Sequence, residues 1–146
     1  MMLCEERDFL QLSVMISINA AVEVVWPYLL EFERRRLWET DLEALDYDGP
    51  VACGVTGTMK LAEMPAMRFE LVAFTPGRVI ADRVDIPGGG ALTFTHAITV
   101  DGGVTCLEQR VRLDKPAPDS KDLDFLCAVF ADTPQAAWRL KDLAER

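Results

Sequence analysis

The sequence predicts an α+β domain whose centre is an antiparallel sheet, with short helices near its start and a helical segment at its end. Three observations carry this. Phe9 to Ile18 alternates strictly, Leu10, Leu12, Val14, Ile16 and Ile18 against Gln11, Ser13, Met15 and Ser17, the period of a half-buried strand. Helical spacing then appears twice, after Asn19 and again from Ser120. Between the two lie short apolar-polar runs broken by Gly, Pro and Asp clusters, with no gap long enough for the crossover helix a parallel sheet needs.

In chain order, Asn19 is the expected N-cap of a helix over Ala20–Glu31, with Val22, Val25, Trp26 and Leu29 on one face. Pro27 lacks a donor and crowds the carbonyl of Glu23, which predicts a kink or a late start. Phe32 to Trp38 suits a second short helix, with Leu37 and Trp38 inward and Arg34, Arg35 and Arg36 outward. Six strands follow at about Leu42–Asp48, Val55–Ala62, Met67–Phe74, Arg78–Ile86, Ala91–Asp101 and Val104–Asp114. Asp101-Gly102-Gly103 is a strong hairpin signal, because glycine accepts the positive φ of a tight turn. From Ser120, Leu123, Leu126, Cys127, Phe130, Pro134, Ala137 and Trp138 fall near one helical face. Asp132-Thr133-Pro134 interrupts them, with Thr133 placed to cap a restarted helix.

With 146 residues the chain is expected to be one domain, residues 1–146, with residues 1–8 a loose segment before it. Fifteen basic residues against 24 acidic ones give a net charge of −9, which argues against nucleic acid or anionic membrane as the main partner. The start carries no basic leader or signal-length apolar run, and the longest charge-free stretch, Ile86 to Val100, holds three glycines and alternates. A cytoplasmic protein without integral membrane association is expected. Cys4, Cys53, Cys106 and Cys127 have no paired spacing and read as unpaired small hydrophobes.

Catalytic signatures are sparse. His96 is the one histidine, so a metal site built on histidines is ruled out by count, and no Asp/Glu spacing suggests a carboxylate magnesium site. Nucleophile-elbow, Walker and dinucleotide glycine patterns are absent; Pro87-Gly88-Gly89-Gly90 joins two strands and so lacks a helix N-terminus. No metal and no cofactor is therefore expected. Strand parity points His96 to the face of Leu92, Phe94, Ile98 and Val100. It is read first as a hydrogen-bonded core histidine, next as a polar anchor for a ligand, last as a general acid or base. Gln109, between Leu107 and Val111, needs a partner inside. Arg83 is solvated if Ile80 and Val84 point inward, and an interior anion contact if they do not.

Several strings in their order resemble one family: Ile16-Ser17-Ile18-Asn19-Ala20-Ala21 running into Val24-Val25-Trp26-Pro27-Tyr28-Leu29, then Trp38, Gly49, Gly54-x-x-Gly57, His96, Gly102-Gly103-Val104-Thr105 and Trp138-Arg139-Leu140-Lys141. The chain resembles the START-related, pollen-allergen-like superfamily SRPBCC, in its polyketide cyclase/dehydrase-like branch. That resemblance implies a helix-grip fold: a curved antiparallel sheet of about seven strands around a long C-terminal helix, with two short helices after the first strand. It also implies a cavity between the concave face and that helix for an apolar or amphipathic small molecule, a lipid, polyketide or aromatic metabolite. The expected lining is Trp38, Met59, Phe69, Leu71, Phe94, His96, Gln109, Phe130 and Ala137, with His96 and Gln109 orienting the ligand. Phe69, Phe74, Phe94 and Phe130 are also bulky enough to fill such a space. No acid-base pair for cyclase chemistry is visible, so binding leads. The alternatives are a cyclase or dehydratase using His96 in the same cavity, and a domain that binds a protein partner or a second copy of itself.

Overall fold

Alternation does place one side of each strand inward, and pairing lines those sides up. The computed structural model describes residues 8–146, so the expectations for Cys4 and for a loose or leaderless start at residues 1–7 lie outside the described residues. The elements are β1 (Phe9–Ile18), α1 (Val22–Leu30), α2 (Phe32–Arg35), β2 (Leu42–Tyr47), β3 (Thr56–Leu61), β4 (Met67–Thr75), β5 (Val79–Asp85), β6 (Ala91–Asp101), β7 (Val104–Asp114), α3 (Ser120–Phe130) and α4 (Thr133–Ala144). The strands form one antiparallel sheet in the order β1-β7-β6-β5-β4-β3-β2. β1 thus pairs with the last strand, and α1 and α2 carry the chain from one edge of the sheet to the other. This is the helix-grip architecture, with the C-terminal helix bent into two.

Register sets rows of inward side chains across the sheet. Val14, Gln109, His96 and Ile80 form one row over β1, β7, β6 and β5; Leu12, Val111, Phe94 and Asp82 form the next. One core cluster joins Val25 and Leu29 of α1 and Leu140 of α4 to Trp38, Met59, Phe69, Leu71 and Ile80. A second joins Leu126 of α3 to Leu92, Val111 and Leu113, and Phe94 packs against both. The β6–β7 turn has positive φ at Gly102 (57°) and Gly103 (82°), as a tight hairpin requires. Arg83 is solvated and pairs with Asp85, since Ile80 and Val84 are buried.

Several local expectations are corrected. α1 starts at Val22 behind an extended Ala21 with no side-chain cap; Asn19 instead donates its backbone N–H to Glu145 Oε2 at 2.7 Å. α2 is a single turn in which Arg35, three residues before Trp38, shares its buried side, while Leu37 is 53% exposed. Trp138 and Leu123 face outward rather than into the core. Asp132, not Thr133, precedes α4, so Pro134 falls within the first turn, where its missing N–H breaks no helical bond. α3 opens on a capping box between Asp119 and Asp122. Cys53, Cys106 and Cys127 are unpaired, but Cys53 and Cys127 are exposed rather than buried. No helix among the described residues is long and apolar enough to cross a membrane.

Gly57 lies between its register partners Tyr47 and Phe69, whose rings meet edge-on at 5.6 Å. A Cβ there would sit 2.5 Å from the Asp46 carbonyl oxygen and 2.5 Å from Phe69 Cζ. Gly57→Ala is therefore expected to lower stability by about 1–3 kcal/mol; a urea midpoint equal to that of the parent protein would contradict this close approach.

Candidate functional site

Among apolar neighbours on the concave face stands a buried polar group. Gln109 and His96 are direct register partners on β7 and β6, and both are almost fully buried. α2 and the turn after it bring Arg35 and Glu39 over them. Arg35 donates from Nε to Glu39 Oε2 (3.1 Å) and from Nη2 to Glu39 Oε1 (3.2 Å). Nη2 also lies 3.3 Å from His96 Nε2. A guanidinium only donates, so Nε2 must be the acceptor and the ring proton belongs on Nδ1, which donates to Gln109 Oε1. Burial holds His96 down to about 4, and the Arg35 charge acts in the same direction. The ring is neutral, and both nitrogens are engaged. That makes it an orienting group for Gln109 and a poor carrier of protons.

The chain of bonds ends there. Gln109 Nε2 is buried without a hydrogen-bond partner, and so are both carboxylate oxygens of Asp82 on β5. Asp82, 2% exposed, is the register partner of Phe94 on one side and Leu71 on the other. Burial pushes its carboxyl up to about 6; the Arg35 charge opposes this, and Glu39 adds to it. Its own backbone N–H contributes electrostatically without closing a bond to either oxygen. Tyr47 on β2 faces the same charges, and burial raises its phenol while Arg35 lowers it.

Trp38 closes the group from above. Its indole N–H donates to the Tyr28 carbonyl at 2.7 Å, and its ring stands edge-on to His96 at 5.8 Å and 82°. Arg139 of α4 donates to its backbone carbonyl at 3.0 Å. The other residues singled out from sequence are split. Met59, Phe69 and Leu71 share the first core cluster with Trp38; Phe130 packs in the second; Phe94 touches both; Ala137 is wholly buried on α4. Two recesses also mark the surface. One of about 670 Å³ is lined by Ile18, Ala20, Val22, Val104, Thr105 and Lys141 among others, and one of about 220 Å³ by Ile86, Gly88, Phe125 and neighbours. None of the nine residues lines either.

Sequence reasoning missed Arg35, Glu39 and Asp82. The signals were present: Asp82 shares the parity of Ile80 and Val84, and Arg35 lies one helical turn before Trp38.

A family model described as polyketide cyclase / dehydrase and lipid transport matches residues 10–145. Among solved structures, CalU16 from Micromonospora echinospora superposes with a TM-score of 0.66 at 15% identity, over 95% of this chain and 85% of that one. The di-domain ARO/CYC StfQ from the steffimycin biosynthetic pathway gives 0.72 at 15% identity, over 94% of this chain and 50% of that one. The Aha1 dimer from Colwellia psychrerythraea gives 0.67 at 16% identity, over 93% and 96%. At such identities the likeness is one of fold. No curated protein matches the chain in sequence.

Proposed function

Because the chain belongs to the polyketide cyclase / dehydrase and lipid transport family, we propose that it binds an apolar or amphipathic small molecule between the concave face of its sheet and the α3–α4 pair. The observation that carries this is the set of three buried, partnerless polar atoms, Asp82 Oδ1, Asp82 Oδ2 and Gln109 Nε2, on an otherwise apolar face. Leaving such a group unbonded costs about 1–3 kcal/mol, a cost that a ligand with matching polar atoms removes. Trp38, Met59, Phe69, Leu71, Phe94, Phe130 and Ala137 would supply the apolar wall, and His96 would hold Gln109 in position. Trp38, Met59, Phe69 and Leu71 already share one packed cluster, so uptake displaces some of them.

The test is native mass spectrometry of freshly purified protein for a co-purified molecule, followed by thermal shift with oleic acid, cholesterol and anthraquinone. A ligand at about a hundred times its Kd adds about 2.7 kcal/mol, a rise of roughly 5–10 °C for a chain of this length. No adduct and no shift with any compound would overturn the proposal. The other reading, a cyclase or dehydratase driven by His96, is disfavoured by the engagement of both ring nitrogens.

A further inference from the structure

Asp82 and Arg35 stand in an unusual relation. Both are buried, and each charge acts on the other. Yet no ion pair within 4.0 Å joins them, and neither Asp82 oxygen has a partner. Arg35 spends Nε and Nη2 on Glu39 and His96, while Nη1 makes no hydrogen bond among the described residues. Opposite charges out of water attract strongly enough to close onto each other unless the fold holds them apart. Here one sits on β5 and the other on α2, with open bonding capacity left on both.

A group that fits such a gap must accept from a guanidinium and donate to a carboxylate. An oxygen bonded to both at about 2.8 Å would hold them about 4.5–5.5 Å apart. A carbonyl can only accept and an ammonium can only donate; a hydroxyl does both. The walls beside Asp82 are Phe94 and Leu71, with Phe69 in the same cluster as Leu71. Such walls suit a flat ring more than a flexible chain.

We propose that Asp82 and the open Nη1 edge of Arg35 form a subsite for one hydroxyl of an aromatic ligand, a phenol. The inference rests on the binding function proposed above and narrows its ligand class. Asp82 is then kept unbonded in the fold because its partner is the ligand. Gln109 Nε2 is left to serve a second, accepting oxygen elsewhere on the molecule.

The experiment compares 2-naphthol with 2-methylnaphthalene, which replaces the hydroxyl by a methyl group of similar size. Titrations followed by calorimetry use the full chain and two variants, Asp82→Leu and Asp82→Asn. The parent protein is expected to prefer 2-naphthol by at least about tenfold. Asp82→Leu, which removes the accepting carboxylate, should reduce the preference to about twofold or less. Asp82→Asn keeps the shape but not the charge-assisted bond, and should reduce it at least about threefold; it carries the test if the leucine variant does not fold. Equal binding of the two probes overturns the subsite and leaves the apolar binding function standing. A preference unchanged in the variants overturns it also, since the hydroxyl then lies elsewhere. If neither probe binds, the phenol subsite falls, while the binding function stands or falls on the co-purified molecule and the thermal shifts with oleic acid, cholesterol and anthraquinone.

Discussion

Arg35→Met is expected to lower the unfolding free energy by about 3–5 kcal/mol, a fall of roughly 10 °C in Tm for a chain of this length. Methionine keeps much of the side-chain volume, so the loss comes from charge rather than packing. The Arg35 side chain is 5% exposed, and its partner Glu39 is 18% exposed. Burial disfavours the charged guanidinium, but Glu39 and Asp82 outweigh it and hold the proton more firmly than in a free arginine. Without that cation, the Glu39 carboxylate faces His96 with its two charge-assisted bonds gone, and Asp82 loses the positive charge that favours its ionised form. Breaking one side of a buried pair is costlier than removing both. Arg35→Met combined with Glu39→Gln should therefore recover more than half of the loss. Urea unfolding of the single and double variants forms a cycle that reads the coupling directly. An Arg35→Met protein within 1 kcal/mol of its parent would show that the network adds nothing to stability.

The second large effect is hidden in the parent protein and emerges when either of two residues is replaced. Asp82 titrates at about 6 in the fold against an ordinary carboxylate value of 3.8. Its contribution to stability is complete below the unfolded value and is lost as pH rises through about 6. His96 titrates at about 4 in the fold against 6.5. Its contribution is complete above the unfolded value and is lost as pH falls through about 4. Each shift spans a little over two pH units, or about 3 kcal/mol, and the two run in opposite directions over nearly the same window. Between pH 4 and 6 they largely cancel. Asp82→Asn removes the loss on raising pH, so relative to the parent its stability should climb by about 3 kcal/mol from pH 4 to 6. His96→Gln removes the opposite contribution, and relative to the parent its stability should fall by a similar amount over that range. The groups facing this pair are Arg35 and Glu39 from α2 and the turn beyond it, and Tyr47 from β2. Carboxylates outside this group that partners hold low, such as Asp48 and Asp122, add the same acid slope to all three proteins and drop out of the differences. Urea midpoints from pH 4 to 7 supply the comparison. Three parallel profiles would show that neither group is held away from its ordinary titration.

Legibility differed from element to element for identifiable reasons. The end of β6 and the start of β7 emerge from sequence, because Gly102 and Gly103 stop the alternation sharply and no other residues take those φ values so readily. Parity alone turns His96 and Gln109 to the same face. By sequence Arg35 reads as an outward residue, because arginine is seldom buried without a partner, and its partners lie on other elements or one turn further along. Asp82 carried the right parity, but a carboxylate between Ala81 and Arg83 gives no local sign that both its oxygens will be sealed from water.

Hydrophobic period and turn chemistry are properties of neighbouring residues, so the chain alone determined where most strands run, which side of each is apolar, and that helices flank them. Partnership is a property of residues far apart in sequence. Only the tertiary structure could set β1 beside β7, lower Arg35 onto His96, and leave Asp82 beside that cation without touching it. The reason is that the free energy of a buried charge depends on what surrounds it in space, and a run of letters does not contain those surroundings.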